Sequence, residues 1–135
     1  MSAVALTKAA ALWLAILALA MANGALREKW LVPTLGSIPA LILSGVLLSG
    51  CILVVALLGA PWYGPLSGAQ WLGIGALWLA LTLAFEFGFG RLVQHKAWAE
   101  LFEAYSFKGG NIWPLVLLVV LLAPWLAARL RDLVR

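Results

Sequence analysis

GAQWLGIGALWLALTLAFEFGFGR, residues Gly68 to Arg91, is the stretch on which the fold turns. A helix needs about 20 predominantly apolar residues to cross the hydrocarbon core of a bilayer, and this run has that length. It also carries a single carboxylate, Glu86, toward its far end. An acid at bilayer depth costs roughly 2.5 to 3.5 kcal/mol on insertion scales, so it calls for a partner or a function.

Runs of comparable length recur along the chain, at about 5–26, 36–60, 69–90 and 112–128. Hydrophobic residues make up 65% of the sequence and charged ones 10%, with a mean hydropathy of +1.07, whereas soluble domains are about half apolar and a quarter charged. The expected fold is therefore all-α, an integral membrane bundle of four transmembrane helices forming one domain over 1–135. The formal net charge of +4 comes from residues at the span ends. Lipid headgroups are its expected counterpart, and a nucleic-acid function is not. The chain has one cysteine and one histidine. Cys51 has no partner for an intrachain disulfide and reads as a small buried hydrophobe, and with His95 alone beside it no metal or cofactor site is expected.

The first run follows Lys8 and ends in Ala20-Met21-Ala22, the pattern of a cleaved signal peptide. Apolar character resumes at Ala25 and Leu26, and the reading adopted is an uncleaved first span. On it Ile16, Leu19, Asn23 and Arg27 share a face, while Ala11, Ala15, Ala18 and Ala22 form a small-residue stripe suited to close helix contact. Arg27-Glu28-Lys29-Trp30 marks a membrane boundary, and Pro33 is expected to break the helix. In the second run Gly36, Ala40 and Ser44 make one small-residue row, with Gly45 and Ser49 on the next. In the third, Ala76, Ala80, Ala84 and Gly88 make another, beside a more polar face of Gly75, Thr82 and Glu86. Thr82 lies one turn from Glu86, placed to donate to it or to its own backbone. Gly88 and Gly90 are expected to loosen the helix end. Trp98, Leu101, Phe102 and Tyr105 recur at one-face spacing, predicting a short amphipathic helix over about 97–107, either lying in the interface or packed onto the bundle ends. Asn111 reads as the N-cap of the fourth span and Pro114 falls in its first turn.

Four crossings put the N-terminus, the Trp62 turn and the C-terminus on one side and the Arg27 turn on the other. Because the first and third spans then run in the same direction, Asn23, Arg27, Glu28, Glu86, Arg91 and Asn111 are expected in one polar layer, with Thr82 beside it and with Arg27 holding the charge of Glu86. Such a layer serves as a structural ion pair or as a site for a proton or substrate.

NG..RE after the first span, EFGFG at the end of the third, W.ELFEAY, and GN.WPLVLL followed by LAARLR in the fourth together resemble a group of small, uncharacterised bacterial four-helix inner-membrane proteins. The resemblance implies a multi-pass protein of the bacterial inner membrane and brings no activity with it. No set of nucleophile, base and metal ligands converges in the sequence, so an enzyme is the least favoured class. A non-enzymatic structural or accessory component, packing with itself or with other membrane subunits, is the leading expectation. An oligomeric transporter or channel using the Glu86–Arg27 layer is the alternative.

Overall fold

The computed structural model describes residues 3–93, 95, 97–99 and 112–134. Helix α1 is Ala3–Leu26, a short α2 is Val32–Leu35, and α3 is Ser37–Tyr63, α4 Gly68–Leu92 and α5 Trp113–Leu130. Four helical stretches are long and apolar enough to cross a membrane, the first running from Ala3 through Leu35. The protein is an all-α, multi-pass membrane bundle. Among the described residues there is no strand, only an isolated parallel pairing of Leu66 with Val134.

At the first reversal the break from regular helix expected at Pro33 takes a particular form. Pro33 does not stop the helix; instead the backbone widens into a π-helical stretch, Arg27–Leu31, in which the Val32 N–H reaches back five residues to the Arg27 carbonyl. A proline in an α-helix removes one donor and drives its ring into the carbonyl four residues earlier, and a π turn just ahead of it relieves that clash by opening the ladder. The chain turns back at Gly36, whose φ of +89° is a conformation that only glycine adopts freely.

The third span is capped at its start and more regular than expected at its end. Ser67 and Gln70 form a reciprocal capping box at its start, with the Ser67 hydroxyl accepting from the Gln70 N–H at 3.2 Å and the Gln70 carboxamide accepting from the Ser67 N–H at 3.0 Å. At the other end the helix runs through Gly88 and Gly90 to Leu92, neither glycine having a positive φ. Ladder hydrogen bonds outweigh the glycine penalty of about 1 kcal/mol where lipid leaves the backbone no other partner. Of the amphipathic helix anticipated over 97–107, all but 97–99 lies outside the described residues, as does Asn111.

Contacts along the helices fix their directions. Lys8 Nζ donates to the Trp62 carbonyl at 2.9 Å, and Leu12 packs on Gly59, so α1 and α3 are antiparallel. The Ile112 and Val116 side chains lie against Gly45, making α3 and α5 parallel, whereas Gly68 meets Trp125 and Gly75 meets Leu121, making α4 and α5 antiparallel. Helix α5 packs extensively on both α3 and α4, α1 packs on α3, and the α1–α4 contact is the slightest of the four. The N-terminal end, the Trp62 turn and Val134 thus gather at one end of the bundle.

The faces that do the packing are only partly those predicted. On α3 an unbroken row one turn apart, Ala40, Ser44, Leu48, Ile52, Ala56 and Ala60, is buried. On α1 the stripe Ala11, Ala15, Ala18 and Ala22 is exposed, and Ala9 and Ile16 are buried instead. On α4 Ala76, Ala80 and Ala84 are likewise exposed, and Trp71, Ile74, Gly75 and Trp78 face inward. Lipid tails are as apolar as leucine, so burial in a membrane goes to whatever packs or hydrogen-bonds best rather than to the smallest residues. Here the indole N–H groups decide it.

Candidate functional site

Two tryptophans join α1 to α4. Trp78 Nε1 donates to the Ala9 carbonyl at 2.9 Å, and Trp13 Nε1 donates to Thr82 Oγ1 at 3.0 Å. The Thr82 hydroxyl in turn donates to its own helix, at the Trp78 carbonyl, 2.8 Å away. Of the two roles open to Thr82 in the sequence, the backbone one is observed.

Both bridges link residues 69 apart in sequence. Two parallel helices in that register bring Leu17 level with Glu86, and both side chains line the same cavity. Arg27 lies ten residues beyond Leu17, about 15 Å further along the helix at 1.5 Å per residue. The expected single polar layer is therefore spread over depth. The carboxylate that Arg27 meets is Glu28, with Nε to Oε1 at 3.3 Å, and Glu28 is mostly exposed. The first and third spans do share a direction, but direction alone does not bring Glu86 to Arg27.

What lies opposite Asn23 and Arg27 is Ser44, buried in the middle of the α3 row. Asn23 Nδ2 donates to the Ser44 backbone carbonyl at 3.1 Å, the Ser44 hydroxyl donates to Asn23 Oδ1, and Arg27 Nη1 approaches the same hydroxyl at 3.4 Å. The amide thus grips both the main chain and the side chain of one residue. Ser44 was legible only as a small residue in a packing row. An antiparallel hairpin reversing between Pro33 and Gly36 puts Asn23 opposite Ser44 or Ser49, and a lone amide in an apolar run needs such a partner.

Glu86, Asn23 and Arg27 nevertheless share a space. A cavity of about 360 Å³ is lined by Ala20, Asn23, Gly24, Arg27, Glu86 and Trp113, among others. Next to it lies a chamber of about 130 Å³ walled by Trp13, Ile16, Leu48, Ile52, Phe85 and Val120, with Thr82 and Glu86. Ala20, Leu48, Glu86 and Trp113 line both. Arg91, by contrast, is exposed and sits over the Trp98 ring, 4.9 Å from its centroid. It belongs to the helix end and not to the cavity.

Comparison with family models finds no match, and neither the curated proteins nor the solved structures yield a similar chain.

Proposed function

We propose that this chain, in the bacterial inner membrane, binds a small solute, ion or proton within its helical bundle and acts as a carrier or channel in an oligomer. The observation that supports this is one cavity on which Asn23 of α1, Arg27 at the start of the π-helical stretch and Glu86 of α4 all border. Ionisable groups inside a membrane bundle are costly, and those that face a cavity mark substrate and ion paths. The test is water access at Ala20, which lines both parts of the cavity. In a Cys51→Ser background, Ala20→Cys is expected to react with a charged, membrane-impermeant thiosulfonate, while the outward Ala15→Cys stays unreactive. A sealed Ala20→Cys overturns the solute site.

A second reading is a non-enzymatic accessory component that packs with itself or with a larger membrane complex. It is favoured by the outward-facing small residues Ala11, Ala15, Ala18 and Ala22 on α1 and Ala76, Ala80 and Ala84 on α4, which permit close approach of another helix. Purification in mild detergent separates the two. A homo-oligomer supports the carrier, and larger co-purifying subunits support the accessory role.

A further inference from the structure

Ala20, Leu48, Glu86 and Trp113 stand where the two ends of the cavity meet, and the ends differ in chemistry. The wider end borders on Asn23 and Arg27, which are engaged with Ser44 and Glu28. Arg27 does not line the smaller chamber. Among the residues described on that chamber's wall, Glu86 alone is ionisable, and aromatic rings from three helices stand around the same space: Trp13 of α1, Phe85 of α4 and Trp113 of α5. Two of these rings are held by their neighbours. Trp13 donates to Thr82, and Phe85 stacks on Phe89 at 5.2 Å and meets Trp13 edge to face at 6.4 Å and 70°.

This inventory narrows the guest. Apolar cavities of about 150 Å³ hold benzene, so a chamber of about 130 Å³ takes a guest of that size. A carboxylate at membrane depth favours a cation beside it, and aromatic faces attract a cation within about 6 Å of the ring centroid. A bare metal ion is poorly served. Ca²⁺ and Mg²⁺ take about six or more oxygen ligands, and Thr82, the other side-chain oxygen on the wall, already accepts from Trp13 and donates to the Trp78 carbonyl. Each N–H of a simple ammonium needs an acceptor, whereas methyl groups need none and suit Ile16, Ile52 and Val120.

Building on the solute-site reading, we propose that the smaller chamber takes a methylated ammonium ion of the size of tetramethylammonium, its charge on Glu86 and its methyl groups against Trp13, Phe85 and Trp113. A free ion and the trimethylammonium end of a lipid head group share this chemistry.

Equilibrium dialysis of the full chain in a neutral detergent against radiolabelled tetramethylammonium tests it. Saturable binding is expected, displaced about tenfold more readily by unlabelled tetramethylammonium than by potassium or by tert-butanol, a neutral molecule of similar shape. Displacement by choline ahead of dodecylphosphocholine assigns the free ion, and the reverse order assigns the lipid head group. Glu86→Gln is expected to weaken binding by about tenfold and Phe85→Leu by about three- to tenfold. Phe87→Leu, which removes a ring packed on Trp98 instead, is expected to leave it unchanged. Equal displacement by potassium or tert-butanol, which needs no variant, overturns the proposal, as does wild-type binding in both Glu86→Gln and Phe85→Leu. Failure to bind with a water-accessible Ala20→Cys removes the methylated ammonium ion and keeps the solute site, while a sealed Ala20→Cys removes both.

Discussion

Trp78 on α4 hands its indole proton to the main-chain carbonyl of Ala9 on α1 across 2.9 Å, with the ring 1% exposed and Ala9 fully buried. The α1–α4 interface is the slightest of the four main helix–helix contacts, so this bond and its neighbour between Trp13 and Thr82 carry much of its specificity. Trp78→Phe keeps most of the ring and loses the donor. It is expected to cost about 0.5 to 1.5 kcal/mol, whereas Trp78→Ala, which also empties the space, should cost about 3 to 5 kcal/mol. Reversible unfolding in mixed micelles measures both. A Trp78→Phe variant as stable as the wild type would mean that the hydrogen bond contributes nothing.

Gly75 and Gly88 lie on the same helix and predict opposite results. A Cβ on Gly75 would fall 1.8 Å from the Leu121 carbonyl oxygen, a backbone atom that cannot turn away, whereas around Gly88 nothing lies within 4 Å. Gly75→Ala must push α4 and α5 apart and should destabilise by about 1 to 3 kcal/mol, as overpacking does. Gly88→Ala should be neutral or stabilise by up to about 1 kcal/mol, from helix propensity. The order of the two melting temperatures checks the α4–α5 packing.

Two double-mutant cycles separate the contact the chain makes from the contact its sequence suggested. Asn23→Ala removes both hydrogen bonds to Ser44 and Ser44→Ala only the one from its hydroxyl, so their coupling reads that side-chain bond and is expected at about 0.6 to 1.7 kcal/mol, the range of interhelical polar contacts in membranes. Arg27→Ala and Glu86→Gln act at depths about 15 Å apart and are expected to add to within about 0.5 kcal/mol. Strong coupling in the second cycle, with none in the first, would reverse the assignment.

The spans, their directions and the side of each turn were legible because length and hydropathy are intrinsic to each segment. Helix register was not. Whether Glu86 stands beside Leu17 or beside Arg27 depends on which indole finds which acceptor, and nothing in the sequence around Trp13 or Trp78 names that acceptor. Pro33 likewise announced a disruption without saying that a π turn would absorb it and move the reversal to Gly36. The small-residue rows misled on α1 and α4 because such spacing permits the close approach of another helix without fixing which face meets one. On α3 Ala40 and Ser44 of the first predicted row are buried and Gly45 of the next receives the Ile112 side chain, whereas Gly36 is exposed at the turn.

The depth of Glu86 underlies the rest, because it puts the carboxylate at the junction of the apolar chamber and the polar end rather than in an ion pair with Arg27. Cross-linking of cysteine pairs in a Cys51→Ser background reads that depth directly. The Leu17→Cys, Glu86→Cys pair is predicted to join through a short bifunctional maleimide in native membranes, and the Arg27→Cys, Glu86→Cys pair to remain open. Efficient joining of Arg27→Cys to Glu86→Cys, with none to Leu17→Cys, would contradict the register and with it the two-ended cavity.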